Sequence, residues 1–137
     1  MGTEKKTVLV VDDEPDVVEY FRTVLQDNGF EVMTAPDGKE AWKLVESNRP
    51  DLVTLDISMP EKSGIGFYRD LRENPELRDI PVVIVTGVDR AFERFISTRK
   101  SVPPPEGYLA KPVDARQLVD TVRRLLSCKA AESGTTP

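Results

Sequence analysis

The sequence contains no histidine, so the side chain that most often serves as a general base, phosphoryl carrier or metal ligand is absent. Its only cysteine is Cys128, so neither a disulfide framework nor a thiolate zinc site can form within one chain. No apolar run approaches the roughly 20 residues that span a bilayer, and residues 1–6 lack the apolar region of a signal peptide. These absences predict a soluble cytoplasmic protein without a membrane segment.

The length and net charge of the chain further limit its domain count and its binding partners. A chain of 137 residues predicts one domain, and 39% hydrophobic residues are enough to build a core. The 24 acidic side chains outnumber the 19 basic ones, which gives a formal net charge of −5. This balance argues against direct binding of nucleic acid through bulk charge.

Short apolar runs alternate with segments of helical periodicity along the chain. The runs predict five strands, at 7–11, 30–34, 51–56, 81–86 and 107–110. Apolar faces at helical spacing predict five helices, around 17–25, 41–45, 65–71, 92–96 and 118–126. Because strands and helices alternate, we expect an α/β fold with a parallel sheet, right-handed crossovers and helices on both faces.

Polar residues stand where the predicted strands end. Asp12 and Asp13 follow the first strand, and Asp56 ends the third. Thr86 ends the fourth, and Lys111 follows the fifth. The carboxyl ends of parallel strands share one edge of the sheet, where ligands bind at the topological switch point. We therefore expect these five side chains to converge.

Such a group of side chains suits phosphoryl chemistry. Three carboxylates in one crevice repel one another, and a hard cation such as Mg²⁺ relieves the repulsion. A lysine and a hydroxyl beside the cation suit a phosphoryl group, whose transfer depends on positioning and charge neutralisation. A carboxylate can also be the nucleophile that accepts the group. Asp56 is favoured because it stands alone at its strand end, although physical reasoning alone leaves the choice between the carboxylates open.

Four segments resemble, in order, the motifs of the receiver domain of two-component response regulators. They are VLVVDDEP at 8–15, DLVTLDISMP at 51–60, PVVIVTG at 81–87 and YLAKPVD at 108–114. The resemblance implies a CheY-like, flavodoxin-like (βα)5 fold, doubly wound around a five-stranded parallel sheet of order 2-1-3-4-5. It divides the chain into an N-terminal tail (1–6), the receiver domain (7–127) and a disordered C-terminal tail (128–137).

The resemblance also implies a Mg²⁺ site beside a phosphorylated aspartate. Asp56 would be both the phosphoacceptor and a metal ligand. Asp13 would bind Mg²⁺ directly, and Asp12 would do so directly or through a bound water. The backbone carbonyl of Ser58 would complete the ligands that the protein supplies.

Three further residues are implied to respond to phosphorylation. Lys111 would pair with Asp56 and then with the phosphoryl oxygens. Thr86 would turn inward to form a hydrogen bond with the phosphoryl group, and Tyr108 would follow by changing rotamer. The Lys111-Pro112 peptide bond is expected to be cis.

The implied phosphoryl donor is a sensor histidine kinase or a histidine phosphotransfer protein. The chain would catalyse only its own phosphorylation and dephosphorylation, without turning over an external substrate. The switching surface would comprise the fourth helix, fifth strand and fifth helix, about 89–126, and would bind an output protein or a second copy. The stretch from 86 to 111, with its Pro103–Pro105 run, is longer than the family pattern, which puts that surface in question.

Two other functions stay open. One is a pseudo-receiver, an interaction module that is never phosphorylated. The other is a phosphatase with an aspartyl nucleophile, which is disfavoured because Asp12 and Asp13 are adjacent and do not form an Asp-x-Asp motif.

Overall fold

The computed structural model describes residues 5–57, 63–86 and 106–134. These ranges contain five strands: β1 (Thr7–Val11), β2 (Glu31–Ala35), β3 (Leu52–Asp56), β4 (Val82–Thr86) and β5 (Gly107–Ala110). They also contain four helices: α1 (Pro15–Asp27), α2 (Gly38–Ser47), α3 (Ser63–Glu73) and α4 (Ala115–Gly134). The predicted strands are confirmed, with starts or ends that differ by at most one residue.

The five strands form one parallel sheet of order β2-β1-β3-β4-β5, which confirms the doubly wound fold. Strand β1 lies between β2 and β3, so the chain reverses its direction of winding between β1 and β3. The carboxyl ends of these two strands therefore border the crevice in which α/β proteins of this type bind ligands.

Apolar side chains alternate between two cores along each central strand. Leu9 and Val11 of β1 face the core that contains Val45 of α2 and Leu71 of α3. Val8 and Val10 face the opposite core, which contains Phe21, Leu25, Leu118 and Val122 of α1 and α4. Burial on both faces explains why these strands are continuous apolar runs, whereas β2, an edge strand, starts with an exposed residue.

Helix α1 ends at a glycine because the chain must reverse there. Gly29 has φ of 92°, a conformation that side chains with a Cβ rarely adopt. The backbone amide of Phe30 donates to the carbonyl of Leu25 at 3.1 Å, which satisfies one of the last carbonyls of the helix. The turn directs the chain into β2 beside β1.

Helix α4 extends further than the sequence predicts. It continues to Gly134, so residues 128–134 are helical and the prediction of a disordered tail is wrong for them. The physical reason is helix propensity: Lys129, Ala130, Ala131 and Glu132 are all strong helix formers, and a helix already begun adds residues easily. Apolar periodicity is lost after 127, but periodicity indicates burial and not backbone conformation.

Several predictions concern residues outside the described ranges. They are the carbonyl of Ser58, the helix at 92–96 and the Pro103–Pro105 run. The side-chain hydroxyl of Thr86 also lies outside what the structure describes, although its backbone pairs with Ala110 of β5. The domain boundaries at 7 and 127 stay predictions.

A buried arginine joins α3 to the starts of β4 and β5, at the sheet edge opposite Asp56. The guanidinium of Arg72 donates to the carbonyls of Arg78 and Ile80 at 2.8 and 2.9 Å and to Glu106 Oε1 at 2.6 Å. The same Glu106 oxygen accepts from the backbone amide of Val82 at 2.8 Å. The Arg72 side chain is only 3% exposed, so these acceptors replace water around its charge.

We expect Arg72→Met to lower the free energy of unfolding by about 2–4 kcal/mol, because it leaves buried carbonyls and a carboxylate short of donors. Urea denaturation monitored by circular dichroism measures the change. The matched control is Arg22→Met, since Arg22 is an exposed arginine of α1 paired with Glu19. Its effect should stay within about 0.5 kcal/mol. Equal losses in the two variants would contradict the role assigned to Arg72.

Candidate functional site

Three aspartates and one lysine meet at the carboxyl edge of the sheet. Asp12 and Asp13 follow β1, Asp56 is the last residue of β3, and Lys111 follows β5. One carboxylate oxygen from each aspartate lies within 4.8 Å of the others. The predicted convergence of these four residues is confirmed by their positions.

Two of the three aspartates are buried, and Asp12 is held by the backbone around it. Asp12 and Asp56 are 3% and 1% exposed, whereas Asp13 is exposed. The backbone amide of Asp12 donates to the carbonyl of Ala35 at 3.1 Å, which fixes the residue just beyond β1. Its Oδ1 accepts from the backbone amide of Glu14 at 2.9 Å. Asp12 therefore has little freedom to turn away from the crevice.

The Lys111 ammonium group bridges the acidic side chains. Its Nζ lies 3.2 Å from Asp12 Oδ2 and 3.2 Å from Asp56 Oδ2. A third carboxylate, that of Glu14, lies 3.0 Å away. The Lys111-Pro112 peptide bond is cis, as expected. The ammonium group of Lys111, which follows β5, thus links the residue after β1, the last residue of β3 and the residue before α1.

The carboxylates carry more negative charge than one ammonium group can neutralise. Burial, the largest cause, raises the pKa of Asp12 from 3.8 to about 6, and the charge of Asp56 adds to the rise. The hydrogen bond from the Glu14 amide and the charge of Lys111 oppose it. Burial lowers the pKa of Lys111, but Glu14, Asp12 and Asp56 outweigh it and hold that pKa above its ordinary value.

The donor set fits a hard divalent cation. Mg²⁺ prefers carboxylate oxygens at about 2.1 Å, so two oxygens on one ion lie at most about 4.2 Å apart. The three aspartate oxygens lie within 4.8 Å of one another, so they are near enough for one ion to draw them into its coordination shell. Asp12, Asp13 and Asp56 are the residues that could hold such an ion, whose charge would offset the repulsion between them.

Tyr108, like Asp13, is a predicted site residue that lies at the surface. It is 51% exposed on β5, beside Ile84 in the register of the sheet. Its proposed change of rotamer stays a prediction.

One contact at the site was not predicted from the sequence. Glu14 lies beside Asp13 in the first motif, and its carboxylate reaches Lys111 across 97 positions of sequence. The only sequence feature that points to Glu14 is its position before Pro15, at the start of a helix that follows a strand end. That place indicates a residue near the crevice, but not the direction of its side chain.

Comparison with known proteins decides the family. The sequence profile of the response regulator receiver domain matches residues 8–123. The chain belongs to this family. Receiver domains are signalling modules of two-component systems and not enzymes of the usual kind.

Two named relatives show how receiver domains occur in longer and shorter proteins. The alkaline phosphatase synthesis transcriptional regulatory protein PhoP of Bacillus subtilis is 32% identical over 121 residues, which are 88% of this chain and 48% of that protein. The polar-differentiation response regulator DivK of Brucella anthropi is 31% identical over 121 residues, 88% of this chain and 96% of that protein. The chain thus spans about half the length of PhoP and nearly all of DivK.

Solved structures agree with the fold. The chemotaxis response regulator CheY4 of Vibrio cholerae is 30% identical with a TM-score of 0.77, and the match covers 89% of this chain and 99% of that one. A receiver domain protein from Clostridium thermocellum is 26% identical with a TM-score of 0.77, covering 91% and 97%. In the described part of the receiver domain, no helix is both long and apolar enough to cross a membrane.

We expect Asp12→Asn to stabilise the metal-free receiver domain at pH 7.5 by roughly 1–2 kcal/mol, because it removes a charge that burial disfavours. The raised pKa means that folding favours protonated Asp12, so its ionisation lowers stability as the pH rises from 3.8 to about 6. The increase in stability caused by Asp12→Asn should therefore reach its maximum above pH 6 and decrease toward pH 4.

Thermal unfolding in the presence of a chelator, at several pH values, measures this effect. Asp120→Asn on the exposed face of α4 is the control, since it removes the same charge far from the crevice. A loss of stability in Asp12→Asn at pH 7.5 would show that the Lys111 contact outweighs the cost of burial.

Proposed function

We propose that the chain is a phosphoacceptor switch that receives a phosphoryl group on Asp56. The observation that carries the proposal is the position of the Lys111 ammonium, 3.2 Å from both Asp12 and Asp56 at the carboxyl edge of the sheet. An ammonium there would neutralise the charge of an incoming phosphoryl group, which is the main requirement of phosphoryl transfer. Membership in the receiver family supports the same conclusion.

Asp56 suits the acceptor role better than Asp12 does. Both oxygens of Asp12 are already used, Oδ1 by the Glu14 amide and Oδ2 by Lys111. Asp12 is therefore suited to a fixed ligand role, whereas Asp56 matches the acceptor position of the family motif.

The transfer itself forms one bond and breaks one. A carboxylate oxygen of Asp56 attacks the phosphorus of a phosphohistidine on a sensor kinase or histidine phosphotransfer protein. The new P–O bond forms as the P–N bond breaks, and the imidazole nitrogen leaves with the electron pair and takes a proton. The donor must come from a partner, because this sequence has no histidine.

Mg²⁺ is the cation that we expect at this site. Asp12, Asp13 and Asp56 would hold it, together with the carbonyl of Ser58, which lies outside the described residues. When bound, the ion would neutralise charge on the phosphoryl oxygens. Hydrolysis of the acyl phosphate by water would return Asp56 to its carboxylate, so the chain would reverse its own signal without acting on other substrates.

Signalling would depend on groups that bind the phosphorylated site better than the free site. Lys111 and the hydroxyl of Thr86 would contact the phosphoryl oxygens, and Tyr108 would move with them. Only a difference in contacts between two arrangements can shift their populations. The output surface would include β5 and α4, together with the predicted helix at 92–96, and would bind an output protein or a second copy.

Incubation with Mg²⁺ and acetyl phosphate tests the acceptor. Intact-mass spectrometry should find one added phosphoryl group on the wild-type chain and none on Asp56→Ala. The matched control is Asp51→Asn, just before the same strand, where Asp51 Oδ2 accepts from the backbone amide of Thr7 at 2.7 Å. That variant should be labelled like the wild type, because it lies at the other end of β3.

The same experiment separates the alternatives. Equal labelling of the wild type and Asp56→Ala would reject Asp56 as the acceptor. No labelling, together with no binding of Mg²⁺ and beryllofluoride, would indicate a pseudo-receiver. Steady hydrolysis of a phosphomonoester would indicate a phosphatase.

Asp13 provides a separate test of the metal site. We expect millimolar Mg²⁺ to raise the melting temperature of the wild-type chain by a few degrees, because the ion binds only the folded state. Asp13→Asn should lose most of that increase and keep its metal-free melting temperature, since Asp13 is exposed. An undiminished increase in this variant would exclude Asp13 as a ligand.

A further inference from the structure

Glu14 has a contact that the proposed function leaves unexplained. Its Oε1 lies 3.0 Å from Lys111 Nζ, a distance shorter than those from Nζ to Asp12 and Asp56. The Glu14 side chain is 61% exposed, whereas that of Lys111 is 18% exposed. An exposed carboxylate at the rim thus holds a mostly buried ammonium group.

The backbone position of Glu14 explains why its side chain is available. Glu14 is the N-cap residue of α1, but its side chain accepts no capping hydrogen bond. A shorter Asp or Ser is the usual choice for that role. The longer Glu side chain extends to Lys111, while its backbone amide donates to Asp12 at 2.9 Å. Glu14 therefore contacts both the proposed metal ligand and the proposed phosphoryl-binding lysine.

The number of donors on Lys111 makes this contact consequential. An ammonium group has three N–H donors, and three carboxylates surround this one. While a phosphoryl group approaches and Asp56 still carries its own charge, Lys111 must give up one of these carboxylates to bind a phosphoryl oxygen. Asp12 and Asp56 are buried, so water cannot take the place of the ammonium group at their carboxylates. Glu14 is exposed and can be rehydrated at little cost.

We propose that Glu14 is a positioning residue that holds Lys111 toward the rim of the site until the phosphoryl group arrives. The inference rests on the phosphoryl acceptance proposed above, because the release of Lys111 matters only if an anion comes to Asp56. Breaking the Glu14–Lys111 contact is then part of the barrier to phosphorylation. Glu14 thus affects the rate at which Asp56 is phosphorylated, although Glu14 itself does not contact the phosphoryl group.

Phosphorylation rates of Glu14 variants test the proposal. At saturating Mg²⁺, Glu14→Gln should be phosphorylated by acetyl phosphate about two- to fivefold faster than the wild type, the range expected for one exposed ion pair. Glu31→Gln is the control for net charge, because Glu31 is an exposed residue at the start of β2, on the opposite edge of the sheet. Its rate should equal that of the wild type. An unchanged or slower rate in Glu14→Gln would overturn the proposal.

A second variant separates the contact from simple charge repulsion. Glu14→Asp keeps the negative charge but shortens the side chain, and Asp favours the capping bond to α1 over a reach to Lys111. If the contact restrains Lys111, this variant should also be faster than the wild type. If it matches the wild type while Glu14→Gln is faster, the effect is charge repulsion and the proposal is wrong.

A double-mutant measurement tests whether Glu14 acts through Lys111. In a Lys111→Met background, Glu14→Gln should no longer change the phosphorylation rate, because the restrained group is gone. An equal acceleration in both backgrounds would place the effect of Glu14 elsewhere and overturn the proposal.

The contact can also be tested without phosphoryl transfer. In ¹⁵N spectra of the metal-free protein, the Lys111 ammonium signal, assigned by its loss in Lys111→Met, should shift in Glu14→Gln and stay unchanged in Glu31→Gln. A signal that Glu14→Gln leaves unmoved would overturn the inference even if Asp56 is phosphorylated. A shifted signal without any labelling of the wild type would support the contact and reject the proposed function.

Discussion

The attraction between one ammonium group and several carboxylates is the interaction on which this site depends. Lys111 follows β5, yet it lies 3.2 Å from Asp56 at the end of β3 and 3.2 Å from Asp12 beyond β1. Without it, the acidic side chains would repel one another in a place where burial already disfavours their charge. The lysine thus lets the fold keep these carboxylates together, and it leaves them a surplus of negative charge that can attract a cation.

The sheet makes this arrangement possible because it fixes where each strand ends. Burial on both faces leaves β1 and β3 little freedom to slide, since a shift of one residue would move Leu9 and Val11 into the opposite core. At the other edge, Arg72 and Glu106 join α3 to the starts of β4 and β5. The strand ends that carry the site are therefore set by packing and hydrogen bonds far from the carboxylates.

The strands and the convergence of three site residues could be predicted from the sequence, because they depend on local apolar patterns and on sheet topology. Continuous apolar runs indicate strands buried on both faces, and parallel topology then brings Asp12, Asp56 and Lys111 together. The contact of Glu14 with Lys111 could not be predicted, since an exposed side chain has many rotamers and no pattern selects one. The pairing of Arg72 with Glu106 gave no signal either, because it joins residues 34 positions apart on different elements.

The surplus negative charge is also the property that the proposed switch would use. A pKa of about 6 for Asp12 means that the folded chain carries this charge at neutral pH at a cost in stability. Any cation or charge rearrangement that relieves the cost is favoured in proportion to it, and the gain appears only in the folded arrangement that provides the contact. Because the charge of this site is incompletely neutralised, one added ion or phosphoryl group would change which contacts of Lys111 are best in the proposed switch, and a partner would detect that change.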